Sequence, residues 1–245
     1  FQIMSYNLNI GFVGLTHLGL CTLASTAKLG VNTYGFDFDS KQISKIKSNK
    51  LDIVEPKLDN ILKKYKKFIK IFNDENIISK CDLVFLSHDV STNSKGESNL
   101  TIINKYIKLI KNKMKAKRAL IILCQVPPGF TRKIKSNKFD IYYQVETLIF
   151  GNAIYRAQNP ERIIIGKTDI NNKINSFYEE YLNFFNAPKL YMNYESAELT
   201  KIAINLMLIS SISTSNTLSE ISKKINADWK NVSEALKLDK RIGKF

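Results

Sequence analysis

The sequence predicts an α/β fold, a doubly wound and mostly parallel sheet followed by a helical dimerisation element. Three observations predict it. Short apolar runs without clean alternation recur between amphipathic stretches, the pattern of strands buried on both faces and joined by helices. A glycine-marked junction joins the first run to the first helical stretch. Beyond residue 188 the strand pattern gives way to one long helical pattern.

The first strand is predicted over 9–13 and the second over 31–36, with a helix over 18–29 between them closed by Gly30 in the usual C′ position. Helices follow over 40–48 and 58–69. Strands are then predicted over 82–87, 119–125, 141–145 and 162–165, with a helix over 100–113. After Pro188 a short strand covers 189–192. The remainder reads as a helix over 196–225 and a shorter one over 228–238. Two domains result: 1–192, with the sheet, and 193–245, helical. Ile202, Leu206, Ile209 and Ile212 make an apolar stripe on the long helix. It fits packing against the sheet domain and a dimer seam equally.

Composition excludes several classes. The longest apolar stretch, 202–212, is interrupted by Asn205 and serines, so no membrane span is expected. Phe1 to Met4 lack the layout of a secretory signal, and the expectation is a cytoplasmic protein. Cys21, Cys81 and Cys124 are widely separated in apolar contexts, which argues for buried thiols. Two histidines and no CxxC pair argue against a zinc site, and no metal is expected. The net charge of +15 invites nucleic acid as a partner. The excess is nearly all lysine, dispersed over helical segments, so a solvated basic surface is the expected reading and no nucleic-acid partner is assigned.

The first strand runs into Gly14-Leu15-Thr16-His17-Leu18-Gly19, in the register of the GxGxxG dinucleotide fingerprint. The first glycine permits a tight turn, the helix N-terminus favours a diphosphate, and the last glycine lets helix and sheet approach. Asp37, at the end of the second strand, is placed to take ribose hydroxyls and to repel a 2′-phosphate, so NAD is the expected cofactor. Thr16 replaces the middle glycine. Its Cβ is expected to crowd the diphosphate and, being β-branched, to resist unusual backbone angles.

Several segments in order resemble the UDP-glucose/GDP-mannose dehydrogenase family: Gly35-Phe36-Asp37-Phe38-Asp39, Glu55-Pro56, and Val126-Pro127-Pro128-Gly129-Phe130-Thr131. Glu146-Thr147-Leu148 with Gly151 and Ala153 follows, then Pro160-Glu161-Arg162-Ile163, then Ala197-Glu198-Leu199-Thr200-Lys201 with Asn205, and finally Asp239-Lys240-Arg241-Ile242-Gly243. The resemblance covers the chain from Asn9 onward. It implies a Rossmann-like NAD domain, a homodimer, and oxidation of a sugar C6 alcohol to the acid by two hydride transfers to NAD, through a cysteine-bound thioester.

By the same resemblance Glu146 matches the glutamate of thioester hydrolysis. Lys201 matches the lysine near the reacting oxygen, with Asn205 one turn on, and Arg241 matches an arginine reaching the neighbouring subunit's substrate. Gln125 stands where the family has a threonine near the nicotinamide, Thr92 is a candidate for another cofactor-site threonine, and Gln42 replaces a lysine common after the ribose-binding acid. The chain ends before the family's nucleophilic cysteine and nucleotide-sugar domain. A nucleotide-sugar substrate is therefore expected only if a C-terminal domain completes the site, and the chain alone is expected to be inactive. Two other readings stand beside this one: a non-catalytic dimeric module binding NAD or a partner, and a dehydrogenase of the hydroxyacid or 6-phosphogluconate type.

Overall fold

The computed structural model describes residues 7–240 and 242. Its residues divide into two compact units, 1–201 and 202–245.

In the first unit one sheet runs in the order β3-β2-β1-β4-β5-β6-β7-β8. Its strands are β1 (Asn9–Val13), β2 (Asn32–Phe36), β3 (Ile69–Phe72), β4 (Leu83–Leu86), β5 (Ala119–Ile122), β6 (Asp140–Gln144), β7 (Ile163–Lys167) and β8 (Lys189–Asn193). Every neighbouring pair is parallel except β6 and β7. The order reverses between β1 and β4, and in open α/β sheets a ligand crevice opens at the carboxyl ends of such a pair.

Side-chain alternation builds a core on each face. Ile10, Phe12, Leu83 and Phe85 point into one layer with α1 (His17–Lys28), α3 (Leu58–Lys64), α6 (Ala153–Gln158) and α7 (Ser176–Leu182). Val13, Val84, Leu86 and Ile122 point into the other with α4 (Thr101–Lys113), and with Tyr194 and Ala197 of α8 (Tyr194–Lys224). Central strands are thus apolar at every position because both faces are covered. Gly30, at φ +85°, ends α1 as expected, its amide donating to Ala27 O at 3.0 Å.

The structure departs from the expectation for 58–69. Helix α3 stops at Lys64, a 3-10 turn covers Lys66–Phe68, and Ile69 opens β3. The apolar spacing of Leu58, Ile61, Leu62, Tyr65 and Phe68 stays helical up to the strand. As the edge strand, β3 leaves Lys70 exposed and has no run of fully buried residues to mark it. Helices α6, α7 and α5 (Phe130–Lys133) are too short to leave a periodic trace, whereas α2 (Ser40–Lys47), capped at Ser48, matches the helix expected over 40–48.

The second unit holds the rest of α8 and α9 (Trp229–Leu238), which Asp228 caps by accepting from the Lys230 amide at 2.8 Å. Leu206, Ile209 and Ile212 are 58%, 63% and 61% exposed. Among the described residues no helix is long and apolar enough to cross a membrane. Arg241 lies outside the described residues.

Gly19 is the most crowded of the described glycines. A Cβ there would collide with the Gly14 carbonyl oxygen and stand 2.7 Å from Ser87 Oγ. Gly129, at φ +85°, has open space around it. Gly19→Ala is expected to lower unfolding free energy by about 3 kcal/mol, against about 1 kcal/mol for Gly129→Ala. Urea titration followed by circular dichroism checks the ranking, and equal losses would contradict it.

Candidate functional site

The β1–α1 turn is strapped from three sides. From β2, the Gly14 amide donates to Phe36 O at 3.0 Å, and the Leu15 amide donates to Asp37 Oδ2 at 2.6 Å. From α2, Gln42 Nε2 donates to Leu15 O at 3.1 Å. From the end of β4, Ser87 Oγ donates to Gly14 O at 3.0 Å. Gly14 needs its hydrogen side chain because φ is +90° and a Cβ would lie 2.5 Å from His88 Cβ.

Asp37 is buried between these straps. Its Oδ1 accepts from the Asp39 amide and from Tyr106 Oη, both at 2.9 Å. Burial pushes the Tyr106 hydroxyl well above its ordinary range, and the Asp37 charge adds to that, so the phenol stays a donor. With two bonds at Oδ1 and one at Oδ2, the carboxylate keeps acceptor capacity on Oδ2.

Thr16 departs from one expectation. Its φ of −72° and ψ of −170° are ordinary extended values, so β-branching causes no backbone strain. Its hydroxyl donates to Ser87 O at 3.4 Å and accepts from the Asp89 amide at 2.9 Å, bridging the turn to the β4 loop. That hydroxyl makes no capping bond to the first turn of α1, which also carries no acidic side chain. The side chains of Leu15 and Leu18 are buried, so these residues can meet a ligand only through backbone.

A second cluster forms around Glu146. Lys201 Nζ stands 3.4 Å from Glu146 Oε2, and Glu146 Oε1 accepts from the Leu148 amide. Burial raises the Glu146 pKa, and Lys201 partly offsets this, while the charges of Asp89 and His17 also reach it. The pair therefore sits within electrostatic range of the turn. Asn205 lies four residues along α8 from Lys201 and is half-buried. Gln125 is exposed, and Thr92 is exposed and pairs with Ser98 in an isolated bridge.

Two carboxylates at the site, Glu55 and Glu198, have roles that the sequence alone does not assign. Glu55 is buried and accepts from the Gly151 amide at 2.9 Å, the Ala153 amide at 2.8 Å and His17 Nε2 at 2.9 Å. Burial pushes its pKa up, and the bonds from His17, Gly151 and Ala153 outweigh that, so the net shift is downward. The Glu55-Pro56 pair was visible as a motif without a partner. Glu198 is fully buried and holds the 129–131 turn, accepting from Gly129 N at 2.5 Å and Thr131 N at 2.8 Å. Cys21, Cys81 and Cys124 are buried thiols, as expected.

Residues 8–184 match the NAD-binding domain of the UDP-glucose/GDP-mannose dehydrogenase family, and residues 195–245 match its central domain. The chain belongs to the UDP-glucose/GDP-mannose dehydrogenase family. It is 30% identical over 96% of its length to an uncharacterized protein of Methanocaldococcus jannaschii, covering 28% of that protein. It is 28% identical over 96% of its length to the UDP-glucose 6-dehydrogenase TuaD of Bacillus subtilis, covering 53% of that enzyme. The chain thus spans about half, or less, of the length of these relatives. Its fold matches a UDP-glucose dehydrogenase of Pyrobaculum islandicum with a TM-score of 0.86 at 24% identity, covering 98% of this chain and 58% of the other. The chain therefore carries the NAD-binding and central domains of that family.

The Glu146–Lys201 pair makes a directional prediction. An adjacent cation lowers a carboxyl pKa, so Lys201→Met should move Glu146 further up from an already raised value. Carboxyl resonances followed through an acid titration check this. An unchanged midpoint would contradict the ion pair.

Proposed function

We propose that this chain binds NAD at the β1–α1 turn, with Asp37 Oδ2 accepting a ribose hydroxyl and the α1 amides facing the diphosphate. The observation that carries the reading is the Asp37 carboxylate itself, buried at the end of β2 against the Leu15 amide of the β1–α1 turn. An acid in that position disfavours a 2′-phosphate by charge repulsion, so NADP is the weaker ligand. Gly14, Thr16, His17 and Gly19 shape the turn, with Leu15 and Leu18 contributing backbone. Gln125 and Thr92 are assigned to the nicotinamide side by the family resemblance alone.

Within a complete site, Glu146 acts as the base for water and Lys201 stabilises the developing oxyanion, a role in which the family resemblance alone includes Asn205. A carboxyl pKa raised by burial makes a stronger base, and a neighbouring ammonium suits an oxygen that gains charge. Oxidation of a nucleotide sugar also requires a thiolate. None of the three thiols serves, since each is buried and pushed up to about 12, largely by burial. The chain alone is accordingly proposed to bind NAD without turning over a nucleotide sugar; Arg241 and the sugar site belong to an assembled enzyme. The exposed Leu206, Ile209 and Ile212 favour a homodimer seam. Free thiols and a requirement for NAD favour the cytoplasm.

A non-catalytic NAD-binding module shares the first of these features and differs at Glu146 and Lys201, whose half-buried ion pair favours the dehydrogenase reading. Calorimetric titration tests the cofactor assignment. NAD is expected to bind in the micromolar-to-millimolar range and NADP more weakly, with Asp37→Asn reducing NAD affinity by about tenfold. No heat with either dinucleotide, from folded protein, would overturn the proposal.

A further inference from the structure

Cys21 has no part in cofactor binding, yet it stands in a chemically specific setting. His17 and Cys21 are four residues apart on α1, so they share one face of the helix. Glu55 arrives from the segment between α2 and α3, and its carboxylate is held in place by the Gly151 and Ala153 amides. The imidazole nitrogen, the thiol sulfur and a carboxylate oxygen all lie within 4.8 Å of one another. Cys21 is fully buried, Glu55 is 7% exposed, and the His17 imidazole is stacked under Phe150 with ring centroids 4.1 Å apart.

We propose that His17, Cys21 and Glu55 form a three-ligand site for a thiophilic divalent cation of the zinc class. The donor set decides the class: one imidazole, one thiolate and one carboxylate is a mixed N/S/O set that zinc accepts and that calcium or magnesium does not. Ligand bonds of about 2.0–2.3 Å set neighbouring donors about 3.3–3.6 Å apart. His17 Nε2 and Glu55 Oε2, at 2.9 Å, open slightly to reach that spacing, and since no donors of the cluster are more than 4.8 Å apart, the thiol needs to move by no more than roughly 1.5 Å.

The backbone amides on Glu55 are the outer contacts that orient a metal-bound carboxylate. Without a cation the thiol keeps its proton, since burial and then the Glu55 charge push its pKa up to about 12. Loading therefore releases the thiol proton to solvent, and apparent affinity rises with pH. The sequence has no CxxC pair because the ligands are gathered from 17, 21 and 55 by the fold. A bound cation would staple the first turn of α1, next to Thr16, to the 151–153 segment.

The test uses the whole purified chain, stripped with chelator and titrated with Co²⁺ as a spectroscopic probe. One equivalent should saturate a thiolate-to-cobalt charge-transfer band in the near ultraviolet, and Zn²⁺ should displace it. Cys21→Ser should abolish the band, and His17→Gln should weaken Zn²⁺ binding by at least about tenfold; Cys81→Ser and Cys124→Ser should leave both unchanged. Circular dichroism establishes that each variant is folded, and His17→Gln, at a partly exposed position, keeps the test valid if Cys21→Ser does not fold. Absence of a saturable band, its persistence in Cys21→Ser, or its loss in Cys81→Ser would overturn the site. NAD titration is a separate readout, so this failure and failure of the cofactor assignment are distinguishable.

Discussion

The bond from the Leu15 amide to Asp37, at 2.6 Å, fixes the relation between the ends of β1 and β2. A buried carboxylate is costly unless its oxygens are matched by donors, and here the donors are the Leu15 amide, the Asp39 amide and the Tyr106 hydroxyl. Each comes from a different part of the fold: the glycine turn, the start of α2 and the middle of α4. One acid therefore holds together the three elements around the crevice. Because the β1–α1 turn is drawn toward Asp37, Gly14 must adopt a positive φ and Gly19 must pack against the Gly14 carbonyl.

The rest of the site is arranged around that turn. Thr16 turns the usual diphosphate glycine into a bridge to Ser87 and Asp89. The substitution works without strain because the backbone there is extended. His17, next along, faces Glu55, and Glu55 holds Gly151 and Ala153 at the head of α6. Glu146 lies just before that segment and Lys201 pairs with it from α8. Short links thus join the proposed cofactor turn to the segment that follows Glu146. Leu206, Ile209 and Ile212 are exposed, and they are the residues proposed above as a homodimer seam.

Much of this was legible in the sequence because it depends on residue type at fixed spacing. Strands buried on both faces, Gly30 as a helix stop, the Gly14 and Gly19 pair and Asp37 each impose a composition that survives without knowledge of the partners. Glu146 and Lys201, 55 residues apart, were named by family resemblance, and nothing in their spacing implies an ion pair. Edge strand β3 was hidden because Leu58, Ile61, Leu62, Tyr65 and Phe68 continue a helical spacing up to it. Glu55 and Glu198 were visible as letters in motifs, but their roles as acceptors for distant backbone amides exist only after folding. The strain expected at Thr16 was absent because its backbone angles are set by the turn as a whole, which the residue type does not reveal.

The central claim is that the β1–α1 turn and Asp37 together receive a dinucleotide. Amide chemical-shift mapping of the isotopically labelled chain during NAD addition tests it most directly. Saturable shifts concentrated at residues 14–19, 37–39 and 87–91, with smaller changes for NADP at equal concentration, are the predicted result. Shifts confined to other surfaces, or a turn that does not respond to NAD at millimolar concentration, would contradict it.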